Sequence, residues 1–120
     1  MNAKAMLAAT FLQGKIVSNK TCFIELGLTN ISREVIRMIE DEKTGFGVQI
    51  SRLKREVNSR WGKSIWYYEY RLNRLIEGNK DGIIKMAKYV RDHIPQNPKT
   101  EKELKLRNDL IKIVNSVLQS

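Results

Sequence analysis

The sequence predicts a mostly helical α+β domain, and three observations carry that prediction. Apolar residues recur at helical spacing along most of the chain, whereas one stretch, 48–51 with 65–70, switches to strand-like alternation and a β-branched, aromatic run. The 120 residues are 42% hydrophobic, enough for one compact core with a small extension. We place the main domain at residues 1–75 and a helical extension at 76–120.

Each element has its own justification. Between Asn2 and Gln13, Ala5, Met6, Ala9 and Leu12, widened by Leu7, Ala8 and Phe11, form an apolar helical stripe that Gly14 ends as a C-cap. This reads as a first helix and not as a secretion signal: only Lys4 precedes it as a charge, no small-x-small site follows, and Gln13-Gly14-Lys15 comes close behind. Ile16-Val17 is a very short strand. Asn19 caps a second helix through Leu26, with Cys22, Phe23 and Leu26 on one face and Gly27 closing it. A third helix opens at Thr29 or Asn30 and runs to about Glu42, with Ile31, Val35, Met38 and Ile39 expected as its buried face. Asn30, Arg33, Glu34, Arg37, Glu40 and Asp41 line the opposite side.

After Gly45 the period changes. Val48 and Ile50 alternate with Gln49 and Ser51, and Ile65-Trp66-Tyr67-Tyr68-Glu69-Tyr70 returns as the second strand of a hairpin. The loop falls at Asn58-Ser59-Arg60-Trp61-Gly62-Lys63, whose Asn, Ser and Gly supply turn conformations. On the returning strand Trp66, Tyr68, Tyr70 and Leu72 share one face and Ile65, Tyr67, Glu69 and Arg71 the other; both are partly apolar, so the pattern leaves the buried face open. Further on, Gly78 and Gly82 read as breaks, and Ile83, Ile84, Ala87, Val90 and Ile94 predict a helix up to His93, stopped by Pro95 and Pro98. Thr100-Glu101-Lys102-Glu103 fits a capping box ahead of a last helix to Leu118. Leu104, Ile111, Val114 and Leu118, flanked by Leu106, Leu110, Ile113 and Val117, make a face wide enough to need a partner surface. That partner is either the rest of this chain or a second copy.

Charge narrows the class. There are 22 Lys and Arg against 13 Asp and Glu, a net charge of +9, with an isoelectric point near 9.9. Such a surplus implies a polyanionic partner, nucleic acid ahead of an anionic membrane face. The densest patch runs from Arg52 to Lys63, where Arg52, Lys54, Arg55, Arg60 and Lys63 meet only Glu56. No run reaches the roughly 18 apolar residues of a membrane span. One Cys and one His make neither an internal disulfide nor a structural zinc site, which points to a cytoplasmic protein without metal or cofactor. Cys22 reads as a small core residue, and His93, next to Asp92, as a surface residue favoured by a helix end. Phosphate-cradling glycine loops and nucleophile-plus-base pairs are missing from the sequence, so catalysis is not expected.

Helix, short strand, helix, tight turn, helix and a hairpin with a basic tip is the element order of a winged helix-turn-helix, in which a helix fits the major groove and a β-ribbon follows phosphates or enters the minor groove. Residues 3 to 72 resemble the small winged helix-turn-helix domains of bacteriophages and mobile elements. The matching residues are Leu12-Gln13-Gly14-Lys15-Ile16-Val17-Ser18, Leu26-Gly27-Leu28, Ser32-Arg33 with Ile36 and Ile39, Gly45-Phe46-Gly47-Val48, and Tyr68-Glu69-Tyr70-Arg71-Leu72. The match spans about three-fifths of the chain. It departs from the family at the acidic Glu40-Asp41-Glu42-Lys43 and in the helical tail.

The resemblance implies a sequence-specific double-stranded DNA-binding protein, a regulator of transcription, excision or replication acting in the cytoplasm of a phage's host. Its third helix would place Asn30, Ser32, Arg33 and Arg37 near bases or phosphates. Arg33 suits guanine O6 and N7, and Asn30 either reads adenine or caps the helix. In the wing Arg52, Lys54, Arg55, Arg60 and Lys63 would each neutralise a phosphate; the alternative is a solvated basic hairpin that protects a sheet edge. Trp61 either wedges against nucleic acid or folds back on its hairpin, and Trp66, Tyr67, Tyr68 and Tyr70 are expected as hairpin packing. The tail would brace the domain or pair two copies as a homodimer. Two other readings use the same surface: an adaptor that redirects a host protein such as RNA polymerase, and an RNA-binding protein.

Overall fold

A computed structural model describes residues 2–18, 33–58 and 60–119, with the backbone alone at 33–35. The expected helix over Asn19–Leu26, with Cys22, and the expected start of the next helix, including Asn30 and Ser32, lie outside the described residues. The rest is mixed helix and sheet, an α+β chain with one antiparallel hairpin.

Helix α1 (Ala3–Leu12) opens where Asn2 Oδ1 accepts from the Ala5 amide at 2.8 Å, satisfying one of the donors a helix start leaves open. It closes on Gly14: the Gly14 amide donates to Phe11 O at 3.0 Å and the Lys15 amide to Thr10 O at 3.3 Å, the paired bonds of a Schellman cap. Ala5, Leu7, Ala8, Phe11 and Leu12 are wholly buried. With alanines letting neighbours approach on several sides, α1 is the central rod of the body.

Helix α2 (Arg33–Glu40) buries Ile36 and Ile39, while Met38 is exposed. This corrects the expected face, which included Met38. At 100° per residue, positions 36 and 38 lie about 200° apart, and a helix with one packed side cannot bury both. The helix ends two residues early because Asp41 Oδ1 accepts from the Lys43 amide at 2.7 Å and the Thr44 amide at 3.0 Å. The acidic run is thus a hydrogen-bonded turn, which delivers the Phe46 amide back to Ile39 O at 2.8 Å.

Strands β1 (Ile50–Asn58) and β2 (Ser64–Leu72) pair antiparallel from Ile50 opposite Leu72 to Asn58 opposite Ser64. Val17 exchanges both backbone bonds with Tyr70 at 2.8 Å, so the short strand expected at Ile16-Val17 is a single bridge on the outer edge of β2.

A 3-10 turn (Glu77–Asn79) leads into α3 (Lys80–Asp92), and α4 (Glu101–Gln119) follows the two prolines. Helix α3 buries Ile83, Met86, Ala87 and Val90; Ile84, expected inside, is exposed and Met86 takes its place. Gly82 is no break. It lies in the first turn of α3 where a Cβ would stand 2.3 Å from Val48 Cγ1 and 2.5 Å from Phe46 O, so the helix can seat against 46–48 only without a side chain there. The capping box at Thr100 forms: Thr100 Oγ1 accepts from the Glu103 amide at 3.1 Å and Glu103 Oε2 from the Lys99 amide at 2.8 Å. Leu110, Val114 and Val117 of α4 join the cluster that also holds α1, α2, the hairpin base and α3. Leu104, expected inside, is exposed near the start of α4. The wide apolar face of the tail therefore finds much of its partner surface in this chain.

Candidate nucleic-acid interface

The hairpin is anchored at its root and stands clear beyond it. Ile50, Tyr70 and Leu72 are buried. Asn79, buried, makes three bonds there: its Oδ1 accepts from the Gln49 amide at 2.8 Å, and its Nδ2 donates to the carbonyls of Gln49 and Asn73 at 3.1 Å. Glu40, the last residue of α2, pairs with Arg52 and also accepts from the Ile50 amide at 3.4 Å. Helix α2 and the root of the hairpin are thus tied by charge and by backbone.

Beyond Ile50 every residue of β1 is exposed, and on β2 only Tyr70 and Leu72 are buried. Cross-strand partners share a face, which sorts the side chains. One face carries Arg52, Lys54 and Glu56 opposite Tyr70, Tyr68 and Trp66. On it the Lys54 ammonium sits 4.3 Å from the Trp66 ring centre and the Arg52 guanidinium 5.8 Å from that of Tyr70. Trp66 and Tyr68 meet edge to face at 5.6 Å. The other face carries Leu53, Arg55 and Val57 opposite Glu69, Tyr67 and Ile65, with Arg55 Nε bonded to Glu69 Oε1 at 2.7 Å. The face left open by the sequence is the first: its root turns into the core, its outer part into solvent.

The sequence-derived site residues divide accordingly. Arg33 belongs to α2 with its side chain outside the described residues, and Arg37 is exposed on the same helix. Arg52 and Arg55 each hold a carboxylate, Lys54 lies over an indole, and Arg60 and Lys63 are exposed on either side of the turn. Gly62, at φ 74°, makes that turn possible. Trp61 is 84% exposed and so does not fold back onto the hairpin.

Two carboxylates remote in sequence, Glu40 and Glu69, enter the basic patch, and so does one cation that sequence reasoning passed over. Arg71 is exposed opposite Ser51 and borders a hollow of about 260 Å³ with Ile16, Arg52, Leu53 and Arg55. Its signal was its phase on the strand, the same as Arg55's partner Tyr67. A second hollow, about 410 Å³, lies between α2 and the hairpin and is lined by Ile36, Arg52, Tyr68 and Tyr70. Beside it in sequence, the amides of Thr44 and then Lys43 hold the Asp41 carboxyl below its ordinary range, with a smaller contribution from Arg37.

No family model, curated protein or solved structure matches the chain. Among the described residues, no cluster of His, Cys, Asp and Glu could hold a metal ion, and no helix is long and apolar enough to cross a membrane. The chemistry on offer is that of cations and aromatic rings on an exposed ribbon.

Proposed function

We propose that this chain is a sequence-specific double-stranded DNA-binding protein of the winged helix-turn-helix kind, with α2 as the groove-reading helix and the hairpin as the wing, acting as a regulator of transcription, excision or replication. The observation that carries the reading is the Glu40–Arg52 pair, which joins the root of a long cationic ribbon to the helix that presents Arg37. A duplex meets such a pair from two directions: the helix supplies base contacts and the ribbon supplies phosphate contacts, which position the protein without reading sequence. Strands of nine residues span roughly 30 Å at about 3.3 Å per residue, comparable to one helical turn of DNA, about 34 Å. The ribbon therefore reaches phosphates beyond those next to α2.

Selection of bound fragments from a random duplex pool tests this reading. Recovery of a common sequence, whose preference relaxes at one position in the Arg33→Ala or Arg37→Ala protein, supports it. Enrichment of no sequence refutes site-specific binding. Capture of RNA in preference to duplex, or of a host protein that persists after nuclease treatment, would replace it with one of the two other readings.

A further inference from the structure

We infer that Trp61 is a wedge that enters between neighbouring base pairs of the bound duplex and unstacks them; the inference deepens the DNA-binding reading and rests on it. The two tryptophans of the hairpin make the case by contrast. Trp66, 53% exposed, has the Lys54 ammonium 4.3 Å from its ring centre and meets Tyr68 edge to face. Trp61, at the end of the ribbon, is 84% exposed. An indole is the largest apolar side chain a turn can carry, and the turn itself is made by Gly62, so the backbone does not call for it.

Its surroundings suit one occupant. Arg60 precedes it and is exposed, so a phosphate beside the indole meets a cation. Just below, Val57 and Ile65 are paired across the strands and about half exposed, at 47% and 52%. They add an exposed apolar pair one ladder step below the last strand pair. Apolar side chains inserted from the minor-groove side partly unstack a base step and kink the duplex. Asn79 and Glu40 tie the root of the ribbon, which sets where the indole is presented.

The experiment uses the full chain and a duplex recovered by the selection above, with 2-aminopurine placed at successive steps. Binding of the unaltered protein should raise 2-aminopurine emission several-fold at one step or two adjoining steps. Trp61→Ala should abolish that rise while still binding, and with an unchanged salt slope, because the phosphate contacts remain. Trp61→Phe should restore part of the rise. Duplex bound with no rise at any step, or an equal rise with Trp61→Ala, overturns the wedge and leaves DNA binding standing. No binding of any duplex overturns both. If anionic phosphatidylserine vesicles, and no duplex, retain the protein in a Trp61-dependent way, the tip is a membrane anchor and the wedge is refuted.

Discussion

The two halves of the hairpin have the same kind of sequence and opposite environments. In the root, Ile50, Tyr70 and Leu72 are buried, Arg52 is held by Glu40, and Asn79 occupies the backbone groups of Gln49 and Asn73. In the outer half, Leu53, Val57, Ile65 and Trp66 are each about half exposed and Trp61 almost wholly so. The halves differ in what their side chains meet: at the root the apolar residues are packed and Arg52 is tied to α2, whereas farther out Arg55 is held only across the strands by Glu69 and Arg60 lies exposed beside the turn.

The largest expected effect separates the halves by stability. Leu72→Ala in the root should cost about 2 to 5 kcal/mol, the usual range for a buried leucine, whereas Leu53→Ala, on a half-exposed site, should stay within about 0.5 kcal/mol. Denaturant unfolding of both proteins measures this; equal losses would erase the distinction. Next, Asn79→Ala should cost about 1 to 3 kcal/mol, since it removes a buried side chain and its three part-buried hydrogen bonds to the backbone of Gln49 and Asn73.

Smaller still is the effect of Glu40→Gln. The pair it breaks is partly solvated, so stability should fall by under about 1 kcal/mol. Arg52, relieved of its carboxylate, should then add close to one phosphate contact, steepening the logarithmic salt slope of duplex binding by about 0.9. An unchanged slope would show that Arg52 faces away from the duplex.

The smallest effect concerns Asp41. Its carboxyl is held below the usual range by the amides of Thr44 and Lys43. A lowered folded value means stability that is fully present above the unfolded pKa and is lost as pH falls through the folded one. Melting temperatures across the acid range should therefore drop less steeply in Asp41→Asn than in the unaltered chain, with little difference at neutral pH.

Much of the fold was legible because its signals are local. The Asn2-to-Gly14 helix, the alternation into and out of the turn at 58–63, and the capping box at Thr100 each depend on residues within a few positions of one another. What escaped depends on packing between distant segments. Gly82 reads as a breaker until 46–48 is laid against it, and Met38 and Ile84 read as core until the neighbouring surface fixes which side of each helix is covered. The site was legible in the same measure. The run from Arg52 to Lys63 is visible as charge, but Glu40 and Glu69 reach it only through the strand register and the end of α2, so the ion pairs of Arg52 and Arg55 are not visible in the sequence. The exposure of Trp61 was open for the same reason: turn chemistry places the residue without saying whether it folds back.

The outer half of the hairpin is proposed to grip a phosphate backbone. The direct measurement is duplex affinity of the full chain as a function of salt, for the unaltered protein and for Lys54→Ala, Arg60→Ala and Lys63→Ala combined. The account predicts a slope of several units that becomes shallower by about 2 to 3 in the triple variant. A slope that is the same in both proteins would contradict it.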